Sequence, residues 1–201
     1  MPTLAPRTRW ALLLVTLAIA GGIALSQLRP PPVNSPVLEW LDHPRPVAEF
    51  LLTSASGDFT ANALRGHWQL LVLGFTHCPD LCPLTLAELT DLRKAYTADN
   101  LRIIFVSVDP QRDAPQTLAR YVSFFDTNIV AVTGADTELH RLADSLGMDF
   151  RREGPAERPT VSHSPSIVLI GPDGFLRGRL PPGFDPQQAA RELAARIRAA
   201  S

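Results

Sequence analysis

The chain has 201 residues, a length that suits one globular domain with a short appendage. Hydrophobic residues make up 45% of it and charged residues 19%, a composition typical of folded proteins and not of disordered ones. The formal net charge is −1 and no cluster of Lys and Arg forms a basic face, so nucleic acid is excluded as an expected partner.

An uncharged, apolar segment lies close to the N-terminus. It runs from Trp10 to Leu28 between Arg9 and Arg29, and as a helix it would be roughly 28 Å long, close to the ~30 Å hydrocarbon core of a bilayer. We therefore predict a cytoplasmic N-terminus (1–9), a transmembrane anchor (10–28) and export of the rest. A cleaved signal peptide is the alternative, since Ala24-Leu25-Ser26 has the form of a cleavage site.

Prolines are dense in the next segment, residues 29–46. Such a composition favours a semi-rigid extended spacer, so we predict a linker over 29–46 and a folded domain over 47–201. The N-terminus lacks the long Arg- and Ser-rich presequence of mitochondrial proteins. We therefore expect a single-pass protein of the bacterial plasma membrane, with its C-terminal domain in the periplasm, where disulfides can persist.

Short apolar runs alternate with helical spacing along the folded domain. The runs predict strands, and a Pro-Asp-Gly turn after the last of them predicts a hairpin. This order indicates an α/β layered domain with a central mixed sheet, in which sites form where strands end and helices begin. The predicted strands are 47–52, 70–75, 103–108, 129–132 and 167–170, and the predicted helices begin near Pro83 and cover 118–125, 139–146 and 189–197.

The two cysteines, Cys78 and Cys82, lie four residues apart at the first strand-to-helix junction. This spacing allows a disulfide, and it also allows two sulfurs to hold one metal ion. If Pro83 is the first helical residue, Cys82 is the N-cap, where free N–H groups and the helix dipole favour thiolate. Two thiolates and one imidazole are too few for a closed zinc site, whereas soft ligands at low coordination number suit Cu(I).

Five histidines are candidates for a third ligand. His163 directly precedes the predicted strand 167–170, and it would approach the cysteines if that strand neighbours the strand 70–75. His77 adjoins Cys78, but neighbouring residues of an extended loop point apart. From the residues alone, a lone loop histidine is more often solvated than a metal ligand, so both roles stay open for His163. The remaining three, without an assigned role, are His43, His67 and His140.

Three blocks of the sequence, taken together and in order, resemble those of the SCO/SenC proteins, copper chaperones for cytochrome c oxidase assembly. The first is Gly74-Phe75-Thr76-His77-Cys78-Pro79-Asp80-Leu81-Cys82-Pro83, the second Val106-Ser107-Val108-Asp109-Pro110-Gln111-Arg112-Asp113-Ala114-Pro115, and the third Ser162-His163-Ser164 before Ile167-Val168-Leu169-Ile170. The resemblance extends from about Val47 to the C-terminus.

The resemblance implies a thioredoxin-like fold and a copper site made of Cys78, Cys82 and His163. It implies that the cysteines cycle between dithiol and disulfide and that the chain is a metallochaperone, not an enzyme. Copper, as Cu(I) or Cu(II), would pass to the CuA centre of cytochrome c oxidase subunit II. Further expected partners are other periplasmic copper chaperones and thiol–disulfide oxidoreductases.

Three further residues depart from this pattern or add to it. Pro165 stands where the family has another residue, near the place where thioredoxin-like oxidoreductases keep a cis-proline. Asp109 matches an acidic position of the second block, with a functional role or a turn-capping role. Asp80, between the cysteines, is expected to be a turn residue that tunes local charge.

Two other functions compete with the chaperone. A membrane-anchored thiol–disulfide reductase acting on the CuA-site cysteines would use Cys78 and Cys82 without needing His163, although such enzymes usually have two residues between their cysteines instead of three. A tethered binding module with an inert disulfide would not depend on His163 either.

Overall fold

The computed structural model describes residues 37–155 and 159–199. The predicted cytoplasmic N-terminus, the transmembrane segment and the first part of the predicted linker lie outside these ranges. Within them, no helix has both the length and the apolar character needed to cross a bilayer.

Ten strands, one short 3₁₀ helix and four α-helices make up the described ranges. The strands are β1 (Glu39–Pro46), β2 (Leu51–Ser54), β3 (Gly57–Thr60), β4 (Trp68–Gly74), β5 (Leu101–Ser107), β6 (Val130–Thr133), β7 (Phe150–Glu153), β8 (Thr160–His163), β9 (Ile167–Ile170) and β10 (Phe175–Leu180). The helices are the 3₁₀ turn Ala61–Leu64, α1 (Leu81–Ala95), α2 (Pro115–Ser123), α3 (Asp136–Leu146) and α4 (Pro186–Ala199).

Eight of these strands form one mixed sheet in the order β1-β10-β9-β4-β5-β6-β2-β3. Strands β4, β5 and β6 are parallel to one another, and β9 runs antiparallel to β4. Strands β7 and β8 form a separate hairpin. The α/β layered architecture predicted from the sequence is therefore confirmed, and so is the neighbourhood of the strands that contain residues 70–74 and 167–170.

The central strands are buried on both faces because helices cover the sheet on both sides. All seven residues of β4 are buried. Successive side chains of a strand point to opposite faces: Leu70 and Val72 pack in the core under α1, α2 and α4, whereas Leu71 and Leu73 pack in the core under α3. This two-sided burial explains why β4 appears in the sequence as a continuous apolar run.

The helical spacings predicted the buried faces correctly. In α3 the four apolar residues at helical spacing are at most 1% exposed, and the closing helix α4 buries its own three against the sheet. Helix α3 is capped at its C-terminus by Gly147, whose φ of 62° is a left-handed conformation that glycine adopts at little cost. The buried positions are Leu139, Leu142, Ala143 and Leu146 in α3 and Ala189, Leu193 and Ile197 in α4.

The linker prediction is wrong for residues 39–46, which form β1 at the edge of the sheet. An edge strand tolerates Pro44 and Pro46 because it pairs on one side only, and its pairing with β10 is irregular between Trp40 and Arg45. The backbone N–H groups of Val37 and Leu38 also donate to Glu192 of α4. The folded domain therefore begins ahead of residue 47, in a segment whose proline content hid its strand.

Most other predicted boundaries differ from the observed ones by one to three residues, and two of the differences have a clear local cause. The strand predicted over 47–52 begins at Leu51, because β2 takes its register from a tight hairpin in which Ser54 lies opposite Gly57. The helix predicted from Pro83 begins at Leu81. Pro83 fits inside the first turn because N–H groups there have no partner within the helix.

Gly74, the last residue of β4, provides a test of how tightly the fold closes around the cysteine loop, the segment 75–82 that contains both cysteines. A Cβ at this position would lie 2.4 Å from Cε2 of Phe105 and 3.2 Å from Sγ of Cys82. We expect Gly74→Ala to lower the free energy of unfolding by about 1–3 kcal/mol, since the ring cannot move without repacking the core. Denaturant titration followed by circular dichroism measures the change.

The double variant Gly74→Ala/Phe105→Leu is the control. Leucine lacks the ring atoms that the new methyl group would meet, so the double variant should lose less stability than the sum of the two single losses. Wild-type stability in Gly74→Ala alone would show that the contact is looser than described.

Candidate metal centre

The pairing of β4 with β9 brings the predicted site residues to one edge of the sheet. Val72, near the end of β4, lies opposite Ile167, the first residue of β9. The cysteine loop therefore leaves the sheet where the segment from His163 enters it. His163 itself is the last residue of β8, not part of an irregular loop, because β7 and β8 form a hairpin that the sequence pattern did not reveal.

Cys82 and His163 are in contact, with 3.7 Å between Sγ and Nε2. The other ring nitrogen, Nδ1, lies 3.0 Å from the backbone carbonyl oxygen of Ser164. Because that oxygen can only accept a hydrogen bond, Nδ1 carries the proton and Nε2 presents its lone pair to the sulfur. Burial lowers the pKa of His163, which favours the neutral imidazole that metal ligation requires.

Cys78 is half-buried, and its Sγ accepts the backbone N–H of Cys82 at 3.4 Å. The sulfur thus takes the place of a helix cap, since Asp80 at the N-cap position makes no side-chain capping bond. Both cysteines are free thiols. Across residues 37–155 and 159–199, no three His, Cys, Asp or Glu side chains stand in a closed metal-binding arrangement. Two of the three predicted ligands are in contact, and the third is held beside them.

The expectation that the helix start favours a thiolate at Cys82 is wrong for the metal-free protein. Cys82 is the second residue of α1 and only 4% exposed. Burial, followed by the hydrogen bond with the Cys78 side chain, raises the pKa of the Cys82 thiol to about 12, and the negative charge of Asp113 adds to the effect. Desolvation therefore outweighs the helix dipole, and Cys82 keeps its proton at neutral pH.

The niche around Cys82 and His163 is mostly apolar. The Phe75 ring stands edge-on to the His163 ring, with 6.1 Å between centroids. Pro165 also lines the niche, and its preceding peptide bond is trans. Such surroundings exclude water and position the imidazole. The lining residues are Val72, Leu73, Leu81, Cys82, Thr85, Phe105, His163, Pro165 and Pro182.

Asp113 is a residue of the site that the sequence analysis did not single out. Its fully buried carboxylate accepts hydrogen bonds from Thr76 N–H at 2.9 Å, Thr76 Oγ1–H at 2.5 Å and Ser107 Oγ–H at 2.6 Å. It thereby joins the start of the cysteine loop to the end of β5. Asp109 and Asp113 both occur in the second sequence block, and nothing in the pattern ranks one above the other.

Asp109 has the turn role considered for it. Its backbone oxygen accepts the N–H groups of Arg112 and Asp113, and its carboxylate pairs with the Arg112 guanidinium, with 2.5 Å between Nε and Oδ2. Asp80 is exposed at the N-cap position of α1, in keeping with a turn residue.

The remaining histidines have other surroundings. His77 is exposed, and its Nδ1 lies 3.1 Å from Thr76 Oγ1. His140 stacks on Phe150, with 4.1 Å between centroids. His43 is exposed on β1, and His67 precedes β4 at the opposite end of that strand from the cysteine loop.

Comparisons with known proteins agree with this geometry. The SCO1/SenC family model matches residues 41–198. A protein of Stutzerimonas stutzeri that is named for copper binding is 40% identical over 126 residues, which cover 61% of this chain and 62% of the relative. The mitochondrial SCO2 homologue of Danio rerio is 37% identical over 190 residues, covering 85% of this chain and 64% of the relative. The chain thus spans less than two thirds of the length of these two curated relatives.

A solved structure supports the same assignment. Copper-bound ScoI of Bradyrhizobium japonicum superposes with a TM-score of 0.68 at 31% identity, over 75% of this chain and 98% of the other. The thioredoxin-like fold expected from the resemblance is therefore confirmed for the described domain. With three sequence blocks joined at one sheet edge and a family match over most of its length, the chain belongs to the SCO1/SenC family.

Proposed function

We propose that this protein is a copper chaperone that binds copper through Cys78, Cys82 and His163 and delivers it to the CuA centre of cytochrome c oxidase subunit II. The observation that carries the proposal is the contact of Cys82 Sγ with the unprotonated Nε2 of His163, beside the Cys78 sulfur. On this account the protein makes no covalent product and is not an enzyme.

The donor set suits copper as cargo. Two thiolates and one neutral imidazole are soft ligands at low coordination number, which favours Cu(I) over the hard cations. In the metal-free protein the Cys82 thiol can donate its proton toward His163 Nε2. The sulfur and the nitrogen are therefore already oriented toward a common point, where copper would take the place of that proton.

The relatives provide independent support. The Stutzerimonas stutzeri relative is named for copper binding, and the Bradyrhizobium japonicum structure contains copper. The first is similar to this chain over 61% of its length and the second over 75%. The role in cytochrome c oxidase assembly follows from the family resemblance.

Unequal exposure of the two sulfurs suggests the order of transfer. Cys78 is half-buried and is followed by the exposed residues Pro79 and Asp80, whereas Cys82 is buried. An incoming thiolate of the acceptor would therefore displace Cys78 first, and Cys82 and His163 would release copper last. Exchange of one ligand at a time avoids a free copper ion.

The cellular setting is part of the proposal. The segment 10–28 would anchor the chain in the bacterial plasma membrane, with the folded domain in the periplasm near the CuA centre. Other periplasmic copper chaperones would load the site, and thiol–disulfide oxidoreductases would keep the cysteines reduced. The apolar length of the segment and its flanking arginines support this arrangement.

A thiol–disulfide reductase is the second candidate, favoured by the proximity of two free cysteines. In that function Cys78 would attack, since Cys82 is buried and its pKa is raised to about 12 by burial. The reductase would have no use for the imidazole of His163, which separates the two functions experimentally.

Copper binding should depend on all three ligands. In a competition titration of the reduced full-length chain against a chromophoric Cu(I) chelator, we expect one copper per chain. Loss of a ligand removes a metal–ligand bond, so His163→Ala and Cys78→Ser should each weaken binding by at least about tenfold.

His67→Ala is the matched control, because His67 precedes β4 at the opposite end of that strand from the cysteines. It should bind copper like the wild type. Tight binding that is indifferent to His163→Ala, or no tight binding at all, would contradict the chaperone and favour disulfide exchange.

Alkylation tests the unequal state of the two thiols. Because the thiolate is the reactive form, and burial raises the pKa of Cys82 to about 12, we expect iodoacetamide at pH 7–9 to modify Cys78 and to leave Cys82 largely unmodified. Cys82 should become reactive only as the pH approaches that pKa. Peptide mass spectrometry measures both sites, and protein unfolded in denaturant should be modified at both. Equal modification of the native thiols at neutral pH would contradict the buried, protonated state of Cys82.

A further inference from the structure

Asp113 is a fully buried carboxylate without a cationic partner at hydrogen-bond distance. In the described part of the chain, the basic group found within 4.0 Å is His77, whose Nδ1 lies 3.8 Å from Oδ1 and whose side chain is 55% exposed. Asp109, equally buried in the same turn, differs because the Arg112 guanidinium pairs with it. Asp113 therefore lacks the guanidinium partner that Asp109 has.

The hydrogen bonds of Asp113 are of the kind that a carboxylate accepts. Thr76 donates to it through both its backbone N–H and its hydroxyl, and Ser107 donates through its hydroxyl. Both carboxylate oxygens act as acceptors, which is the behaviour of the charged form. Thr76 is two residues from Cys78, so this charge lies beside the cysteine loop. Water and salt screen a buried charge much less than an exposed one.

We propose that the fixed negative charge of Asp113 sets the preference of the site for the oxidation state of copper, favouring Cu(II) relative to Cu(I). This inference rests on the proposed copper site at Cys78, Cys82 and His163. Asp113 does not ligate the metal. It acts through its hydrogen bonds with Thr76 of the cysteine loop and through the electric field of its charge, so it is a positioning residue with an electrostatic role.

Formal charges give the direction of the effect. Two thiolates and a neutral imidazole carry a net charge of −1 with Cu(I) and of zero with Cu(II). A nearby negative charge raises the energy of the first complex and leaves the second nearly unaffected. Loosening of the cysteine loop would weaken both complexes alike. The ratio of the Cu(II) affinity to the Cu(I) affinity therefore reports the effect of the Asp113 charge separately from its effect on the position of the loop.

The test compares Asp113→Asn with the wild type in the full-length chain. Cu(I) affinity is measured by anaerobic chelator competition, and Cu(II) affinity by competition followed at the sulfur-to-copper charge-transfer band. We expect the ratio of Cu(II) affinity to Cu(I) affinity to fall on the order of tenfold, which corresponds to a rise of about 59 mV in the one-electron potential of the bound copper. Co(II), a divalent ion that does not oxidise thiols, replaces Cu(II) in a parallel titration and should follow it.

Ser107→Ala is the matched control, because it removes one hydrogen bond to Asp113 and keeps the charge. Its affinity ratio should stay within about twofold of the wild type. Asp113→Ser, a second neutral variant, carries the same expectation as Asp113→Asn if the latter does not fold. An unchanged ratio in a neutral variant that binds copper, or an equal fall in Ser107→Ala, would overturn this inference alone. A wild-type chain that binds no copper would overturn the proposed function and this inference together.

Discussion

The antiparallel pairing of β4 with β9 is the constraint on which the site depends. With Val72 opposite Ile167, the end of one strand and the start of the other meet at a single sheet edge. Cys82 and His163 are 81 residues apart in the sequence, yet Sγ of the first lies 3.7 Å from Nε2 of the second. Continuous burial of both strands holds this register, since a slip by one residue would exchange the side chains between two different cores.

The same packing divides the proposed copper site into a buried and an accessible half. Cys82 and His163 lie in an apolar niche, where burial raises the pKa of the thiol and lowers that of the imidazole. Both groups are therefore neutral without metal. Cys78, half-buried and held by a backbone N–H, faces the exposed part of the loop. A site of this form can retain an ion through one half and exchange it through the other.

Sequence periodicity predicted the parts of the fold that are covered on both sides, such as β4, β9 and α3, because their burial is visible as uninterrupted or helically spaced apolar residues. It failed at β1, where Pro44 and Pro46 are tolerated only because the strand lies at an edge. The three proposed ligands were singled out by residue type and family resemblance, and the structure brings two of them into contact. The protonation of Cys82 could not be predicted from the sequence, since it depends on residues from distant strands that close the niche. Asp113 could not be distinguished from Asp109, because the turn alone decides which carboxylate faces the loop and which faces Arg112.

In the proposed copper site, the backbone oxygen of Ser164 would hold the His163 ring so that Nε2 is the copper ligand. Nitrogen-15 NMR of the histidine-labelled protein, metal-free and loaded with Cu(I), tests it most directly. We expect a protonated Nδ1 in both states and a change in the Nε2 chemical shift when copper binds. An Nε2 resonance that does not respond to Cu(I), or a proton on Nε2 in the metal-free protein, would contradict it.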